Sequence, residues 1–422
     1  MAPWSLFYGS FFAIYGLWVT FGPARLMQSS PNWAAASLAL SSLVYFVALP
    51  LAQWTWKRFG FTTALGIWAL LTVLAYSLPL LDASLLPLVL PVGSMAAAGS
   101  YGLAETYMIE ELTTQGRAHE FGASRKWGSL GFLLAAGFGG MLLDRMGGIS
   151  SLEILLAVVA VGFGLCSLIL MRYERSHGVG QIKLAGTSSV LNAPDAGEIE
   201  PVTLSAMSGQ SQEDLLAAHS VRESQPEKSV LLRAIPQWAL ALALIGITFQ
   251  RVAENQSTAW FGAMWMAGGH SATQAGLLSA WAVLAEFFAM GASTRWLERA
   301  PLQRVMFWCC LISSVRWILT PSCSSMVCAA ALQSVHALSF GVFYPASLIW
   351  IRSHWPKHFF KARFTMEGGQ RALSSGYYFL AAGSLIPVLG FAPVFEGCGL
   401  FAAIGAAVWC LPAFKEKRIV TA

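Results

Sequence analysis

Six ionisable side chains interrupt long apolar segments of this sequence and are its first candidates for chemistry. They are Glu105, Arg251, Glu254, Glu286, Arg316 and His336. A charge surrounded by hydrocarbon is costly unless it faces a partner or water. Carboxylates and histidine can take up and release protons, and arginine can bind an anionic or polar group. These positions predict a site for a polar solute or a proton, with structural ion pairs as the alternative.

Arg251 and Glu254 are three positions apart, so they lie on one face of a helix. The segment continues with Asn255, Gln256 and Ser257, and this polar run predicts that the helix ends near position 257, at the outer rim of a membrane. We expect Arg251 and Glu254 to neutralise one another there. Glu254 is also a candidate for coupling to protons.

Glu286, Arg316 and His336 lie deeper in their segments. Counting about 1.5 Å per residue from the predicted outer ends places Glu286 and His336 about 18 Å deep, and Arg316 about 21 Å from the inner end of its helix. Helix tilt and the long arginine side chain can bring the three groups together. We predict that they form one cluster, which serves either proton coupling or structural ion pairing.

The composition shows which elements must position these residues. The chain has 422 residues, of which 56% are hydrophobic and 11% charged, and its mean hydropathy is +0.59. A soluble protein of this size has about a quarter of its residues charged. Apolar runs of about 20 residues recur, each long enough to cross a hydrocarbon layer about 30 Å thick. The fold class is therefore an all-α membrane protein.

Twelve apolar runs predict twelve transmembrane helices in two six-helix bundles. The spans are predicted at 4–24, 35–55, 62–81, 86–109, 127–144, 152–171, 235–257, 275–296, 302–320, 324–350, 368–388 and 394–413. The first run has no basic stretch and no small-residue cleavage motif before it, so we expect it to be retained as a span.

A long polar segment divides the chain. Residues 172–232 are rich in Ser, Gly, Ala, Glu and Gln and poor in aromatics, so we expect a largely disordered linker. The predicted domains are an N-terminal bundle at 1–171, this linker, a C-terminal bundle at 233–414 and a tail at 415–422.

Basic residues predict the orientation. With the N-terminus inside, the short outer loops carry only Arg25 and Arg145, and the other loop cations lie inside. The positive-inside rule then puts both termini in the cytoplasm of a multi-pass cell-membrane protein. The formal net charge of +5 reflects this topology. Because the basic residues are dispersed among loops, a nucleic-acid partner is not expected.

Cysteines and sequence motifs do not point to an enzyme. The seven cysteines lie in or beside predicted spans, and none forms a C-x-x-C pair. Cys323 and Cys328 could approach each other near the outer face, but we expect them to serve packing. HExxH, P-loop and G-x-S-x-G motifs are absent from the sequence, so we predict neither a metal, nor another cofactor, nor catalysis.

Six spans, a cytoplasmic linker and six further spans resemble the major facilitator superfamily. In that superfamily the substrate binds near the membrane midplane between the two bundles. The superfamily's loop signature G-x-x-x-D-R/K-x-G is matched only in part by "QWTWKRFGFT". Arg58 and Gly60 fit the signature, whereas Gln53 and Lys57 replace its Gly and Asp.

Three strings resemble one branch of that superfamily, the proton-coupled permeases for lactose, nucleosides and phenylpropionate. They are "SAWAVLAEFFAM", "SSVRWIL" and "ALQSVHALSFGVFYPASL". In that branch a Glu, an Arg and a His face one cavity, which implies the same role for Glu286, Arg316 and His336. The lactose permease has a proton-carrying carboxylate one turn after the His, where this chain has Ser339.

The string "FGASRKWGS" is similar to F/Y-G-x-x-R-x-x-G, which opens the fifth span of that branch. The resemblance implies that Arg125 pairs with a carboxylate of span four and binds the substrate. Glu105 in "YGLAETY" is the best match for that carboxylate, and Glu110 is the alternative. We expect Lys126 to reach the lipid surface; alternatively, Arg125 and Lys126 are both surface anchors.

Trp127, which follows these cations, and Gln333, in the span-ten string, complete the candidate substrate-binding residues.

Together these features predict a monomeric secondary transporter, embedded in the bilayer and working by alternating access. The expected substrate is a small polar organic solute, namely a sugar, a nucleoside or an aromatic acid, and the expected coupling is proton symport. The alternatives are a receptor or scaffold with a carrier fold, and a proton-coupled exporter. The run "GFLLAAGFGGMLL" lacks the Gly-Pro pair of drug–proton antiporters, which disfavours the exporter.

Overall fold

The computed structural model describes residues 2–114, 120–176, 237–297, 299–355 and 358–411. Throughout these residues the regular secondary structure is helical. Most of the predicted linker and the whole predicted tail lie outside them, so those two predictions are not examined by the structure.

Seven helices form the N-terminal bundle. They are α1 (Ala2–Ser29), α2 (Pro31–Leu43), α3 (Tyr45–Phe59), α4 (Phe61–Ser77), α5 (Leu86–Thr114), α6 (Glu120–Arg145) and α7 (Leu152–Ser176). Helices α2 and α3 follow one another directly and are bent by 45° relative to each other. Gly60, at φ 80° between α3 and α4, allows a tight reversal in a backbone region that other residues rarely enter.

The C-terminal bundle repeats this plan. Its helices are α8 (Gln237–Ala267), α9 (Ala272–Leu297), α10 (Leu302–Leu319), α11 (Met326–Ser334), α12 (Phe343–His354), α13 (Phe359–Leu380), α14 (Ile386–Leu389) and α15 (Ala392–Trp409). A π-helical turn, Ala337–Val342, joins α11 to α12, and a second, Ala381–Leu385, joins α13 to α14.

The helices are suited to a membrane. Within the described residues, ten helices are long and apolar enough to cross one, and the bent α2–α3 pair passes the same test when its two helices are taken together. Helix α8 has 31 residues, about 46 Å at the usual helical rise, and coincides with the predicted seventh span. Each predicted span thus coincides with a helix, a bent pair or a π-interrupted helix, and the predicted fold class is confirmed.

Helix α8 corrects one prediction. It continues to Ala267 and does not end near position 257. The polar residues there have partners inside the protein: Asn255 donates to the Ser374 hydroxyl at 3.3 Å, and Gln256 donates to the Ser374 carbonyl at 3.2 Å. Helix α13 thus supplies a hydrogen-bond partner to both side chains, so the polar run does not end the helix.

A second correction concerns the cysteines. Cys323 and Cys328 form a disulfide, and their Cα atoms are 5.8 Å apart, so the expectation of a packing role was wrong. The chain turns between α10 and α11 before Ser325 caps α11 by accepting from the Cys328 amide at 3.2 Å. This turn brings the two cysteines within the Cα separation typical of disulfides.

Glycines allow the two bundles to touch. A Cβ atom at Gly140 of α6 would collide with the Ala272 carbonyl of α9, and one at Gly276 of α9 would collide with the Ala136 carbonyl of α6. Small residues of this kind permit close contact between membrane helices. These contacts lie toward the end of the molecule that the sequence predicts to be extracellular.

Candidate functional site

Arg125 and Glu105 meet in the N-terminal bundle. Arg125 Nε lies 3.8 Å from Glu105 Oε1, and their side chains are 25% and 28% exposed. The Tyr101 hydroxyl accepts hydrogen bonds from Arg125 Nη2 at 2.9 Å and Nε at 3.2 Å. It donates one to Glu105 Oε1 at 2.8 Å. The structure therefore joins the two sequence-predicted residues through a tyrosine.

The sequence analysis did not single out Tyr101 for this site. Tyr101 lies four residues before Glu105 on α5, so the two share a helix face. This four-residue spacing was the sequence signal that could have identified Tyr101 as part of the site. The neighbouring cation behaves differently, because Lys126 is exposed while Arg125 is half-buried.

Two further candidates do not join this pair. Trp127 lies two residues after Arg125, about 200° around the helix, and its side chain is 51% exposed. Gln333 is buried in the other bundle, where its Oε1 accepts a hydrogen bond from Arg316 Nη2. The structure therefore does not bring Trp127 and Gln333 together with Arg125, and their role in substrate binding stays a prediction.

His336 is the centre of a charged cluster in the C-terminal bundle. Its Nδ1 lies 2.6 Å from Glu254 Oε1, and its Nε2 lies 2.9 Å from Glu286 Oε2. The two carboxylates differ in access, because the Glu254 side chain is 5% exposed and that of Glu286 is 18% exposed. The imidazole thus bridges a deeply buried carboxylate and a more accessible one.

Arg316 completes this cluster from α10. Its Nη1 lies 3.8 Å from Glu254 Oε1 and donates to the Ser339 hydroxyl at 2.9 Å. The predicted association of Glu286, Arg316 and His336 is therefore present, with Glu254 as a fourth member. Ser339, in the π-helical turn, thus supports the arginine.

The predicted pairing of Arg251 with Glu254 was wrong. Glu254 already has two cationic partners, His336 and Arg316. The Arg251 guanidinium instead lies over the rings of Phe340 and Tyr344, 4.7 Å and 4.5 Å from their centroids. Residues three apart on a helix can reach one another, but both side chains here turn toward span ten.

The π-helical turn helps to aim the side chains of span ten. It follows directly after His336 and contains Ser339 and Gly341. A Cβ at Gly341 would lie 3.1 Å from the Glu286 carbonyl, so glycine allows α9 to approach closely. Such turns reset the helical phase and recur at functional sites. Here the turn coincides with the cluster.

A cavity lies between the bundles on the Glu105 side. It has a volume of about 180 Å³ and is lined by residues of α3, α5 and α13, including Gln53, Trp56, Glu105 and Glu367. Glu105 belongs to the N-terminal bundle and Glu367 to the C-terminal bundle. Charged groups of both bundles therefore face a common central region.

Two bundles of long apolar helices, with buried ion pairs inside them, define a polytopic membrane protein. The model of the MFS_1 like family matches residues 6–386, and the chain belongs to this family. No curated protein sequence matches the chain.

Solved transporters share the fold. The nucleoside transporter NupG is 14% identical, with a TM-score of 0.69 and coverage of 99% of both chains. The inward open xylose transporter XylE from E. coli is 12% identical, with a TM-score of 0.66, covering 97% of this chain and 94% of that one. An auto-inhibited peptide transporter of the POT family is 13% identical, with a TM-score of 0.65 and coverage of 97% and 95%.

Proposed function

We propose that this protein is a secondary transporter that couples a small polar organic solute to protons by alternating access. The observation that carries the proposal is His336, held between Glu254 and Glu286 beside Arg316. A histidine with a carboxylate at each ring nitrogen can bind a proton reversibly within a membrane.

The charges of this cluster support one proton as the coupled ion. With His336 doubly protonated, two cations balance two carboxylates and the cluster is neutral. Loss of that proton leaves one net negative charge, which is costly in a low-dielectric environment. The loaded transporter must switch from an outward-facing to an inward-facing form, and a neutral cluster lowers the free-energy cost of that switch.

The proton is shared by His336 and Glu286. Glu286 is the more exposed of the two carboxylates and has one cationic partner in the cluster, whereas Glu254 has two. Water in the central region can therefore exchange a proton through Glu286. Glu254 holds His336 and Arg316 in place.

Solute binding is assigned to the Arg125–Tyr101–Glu105 group. Together these side chains offer hydrogen-bond donors and acceptors to a polar molecule, and Glu105 lines the cavity between the bundles. The nucleoside transporter and the xylose transporter among the structural neighbours support a small polar organic solute. We place the protein in the cell membrane as a monomer with both termini cytoplasmic.

Reconstitution into proteoliposomes tests this function. A panel of labelled sugars, nucleosides and aromatic acids is first assayed by counterflow, which needs a carrier but no proton gradient. An inward proton gradient is then imposed for every solute that exchanges. The proposal expects exchange of at least one solute and its accumulation with the gradient.

Three outcomes would contradict that proposal. Binding without exchange would support a receptor, and no binding and no exchange would support a scaffold. Solute movement against the direction of proton entry would support the proton-coupled exporter. A Lys126→Gln variant serves as the matched control, because this exposed cation lies beside Arg125 but outside the proposed site.

A further inference from the structure

Gln250 lies inside the C-terminal bundle, one helical turn before Glu254 on α8. Its side chain is fully buried, and residues four apart share a helix face. Its amide nitrogen Nε2 donates to the Ser313 hydroxyl of α10 at 3.1 Å, and to the main-chain carbonyl of Ser339 in the π-helical turn at 3.3 Å. One side chain thus joins three of the elements that carry the charged cluster.

The partners of Gln250 fix the orientation of its amide. A main-chain carbonyl can only accept, and the Ser313 hydroxyl gives its own proton to the Cys309 carbonyl at 2.6 Å, so both partners require a donor. Gln250 Oε1 is buried and has no hydrogen-bond partner among the residues that the structure describes. An unpaired buried acceptor is costly, and a methionine would avoid that cost. The residue type therefore points to the two bonds that Nε2 donates.

Ser339 connects Gln250 to Arg316. Its carbonyl accepts from Gln250, and its hydroxyl accepts from Arg316 Nη1 at 2.9 Å. The other terminal nitrogen of Arg316, Nη2, donates to Gln333. With both nitrogens engaged, Arg316 Nη1 stays 3.8 Å from Glu254 Oε1, which is beyond the range of an N–H···O hydrogen bond.

This separation leaves Glu254 to His336, because His336 Nδ1 lies 2.6 Å from the same oxygen, Glu254 Oε1. Arg316 and His336 therefore compete for one carboxylate oxygen. A guanidinium that moved onto Glu254 would weaken the attraction between this carboxylate and a protonated His336.

Two further charged groups lie around the imidazole. Glu286 of α9 faces the second ring nitrogen at 2.9 Å. Arg251 of α8 contacts the ring of Phe340, on which His336 stacks at 5.8 Å. Neither group is bonded to Gln250 or Ser339, so a change at those two residues acts first on Arg316.

We propose that Gln250 and Ser339 are positioning residues of the proton site, which hold Arg316 away from Glu254 so that His336 keeps this carboxylate as its partner. The inference rests on the proposed proton coupling and names two residues that set the proton affinity of the site. Neither side chain takes up or releases a proton itself. Loss of either lets Arg316 move onto Glu254, and a proton on His336 is then held less tightly.

Titration of His336 in the purified full chain tests this role without any transport. The protein is labelled with ¹⁵N at its histidines, and nuclear magnetic resonance spectra are recorded in detergent over a series of pH values. The His336 signal is assigned by its absence in His336→Asn. Gln250→Met removes both donated bonds at similar volume. We expect it to shift the midpoint of the His336 titration to lower pH by about one unit, a loss of about tenfold in proton affinity.

Ser339→Ala provides a second, milder variant. It removes one hydroxyl and keeps the main-chain carbonyl that Gln250 contacts, so it decides the question if Gln250→Met does not fold. We expect a shift of the same sign. If Gln250 acts through Ser339, the double variant should shift the midpoint no further than the larger of the two single shifts, whereas independent effects would add.

Gln303→Met is the matched control. This buried glutamine donates its Nε2 to the Trp409 carbonyl at 2.6 Å. It lies thirteen residues before Arg316 on α10, about 20 Å along the helix. The control variant should lower the melting temperature and leave the midpoint of the His336 titration unchanged, which separates positioning from a general loss of stability.

Each contrary result has a defined meaning. An unchanged midpoint in both single variants, additive shifts in the double variant, or an equal shift in Gln303→Met overturns the positioning role. A His336 signal that does not titrate in the wild-type protein also overturns it. If the predicted shifts appear but the wild-type protein accumulates no solute with a proton gradient, the transport function fails and the positioning role stands.

Discussion

In the proposed mechanism His336 both binds the coupled proton and holds two carboxylates, because its two ring nitrogens face different partners. One nitrogen meets the buried Glu254 and the other meets the more accessible Glu286. A lysine or arginine could satisfy both carboxylates, but neither would release a proton readily at physiological pH. The residue type therefore favours coupling over a purely structural ion pair.

The first residue-scale prediction separates the two carboxylates. Glu286→Gln leaves Glu254 balanced by Arg316, with His336 neutral. This variant should still exchange solute, but it should not accumulate solute with a proton gradient. Glu254→Gln removes the buried partner of two cations and should destabilise the protein by about 3 kcal/mol or more. Counterflow, gradient-driven uptake and melting temperature distinguish the variants. Normal accumulation by Glu286→Gln would place the proton elsewhere.

The second residue-scale prediction concerns Arg125. Two nitrogens of its guanidinium contact the Tyr101 hydroxyl, and the single ammonium of lysine cannot reproduce that fork. Arg125→Lys should therefore abolish transport, with normal membrane insertion measured by yield and gel filtration. Lys126→Ala should be mild. Equal loss in both variants would indicate that the two cations are surface anchors.

Individual residues differed in how well the sequence predicted them. Rare ionisable groups in apolar helices identified Glu286, Arg316 and His336, because burial of charge demands partners. Spacing alone misassigned Glu254, since contacts with two other helices outweigh those with the same-helix neighbour Arg251. Tertiary partners of this kind are not encoded in a local pattern.

At the scale of elements, Asp144 joins the bundles through a helix end. This residue of α6 accepts from the Ala272 amide at 3.1 Å and the Thr273 amide at 2.8 Å, and also from the Thr273 hydroxyl at 2.5 Å. It thus caps α9 of the other bundle, where the free amides and the helix dipole favour a negative charge. Opening this end of the interface requires the cap to break.

Asp144→Ala should therefore favour opening at that end. Loss of one of these hydrogen bonds, at about 1 kcal/mol, shifts the equilibrium about fivefold, and loss of all three shifts it about a hundredfold. A Thr20→Cys reporter, buried at the same interface, should react correspondingly faster with a maleimide, as measured by mass spectrometry of the labelled peptide. Gly162→Ala, where a Cβ meets open space, is the control. An unchanged labelling rate would show that the cap does not hold the interface closed.

The sequence predicted the helix boundaries correctly where the ends of apolar runs determine them. The apolar runs located the spans because a helix must stay apolar across the bilayer core. The end of α8 and both π-helical turns were not predicted. Polar side chains can remain within a membrane helix when neighbouring helices satisfy them, and π-helical turns have no simple sequence signature.

At the scale of the whole molecule, we predict that the segment between the two bundles is dispensable for transport. Residues 180–225 are rich in small and polar residues, so a Gly/Ser segment of equal length should replace them with little loss of transport. Uptake per inserted protein is the measurement. Complete loss of uptake in a correctly inserted variant would assign the segment a structural or functional role.

The plan of the molecule was the most predictable feature, because twelve apolar runs around one polar segment already indicate two bundles. Which surfaces of the two bundles face each other was not predictable from the sequence. It depends on close contacts such as those of Gly140 and Gly276 with backbone carbonyls of the opposite bundle. Those contacts place the charged groups of both bundles around one central region, which the sequence could only suggest by resemblance.

Solute-driven proton movement is the most direct test of proton-coupled transport by this protein. Proteoliposomes with a pH-sensitive dye in the lumen and no imposed gradient receive the exchanged solute outside. The account predicts that the lumen acidifies as solute enters, that Glu286→Gln abolishes the acidification while retaining exchange, and that protein-free liposomes give no signal. Equal solute entry through the wild-type protein without any change in lumenal pH would contradict proton-coupled transport.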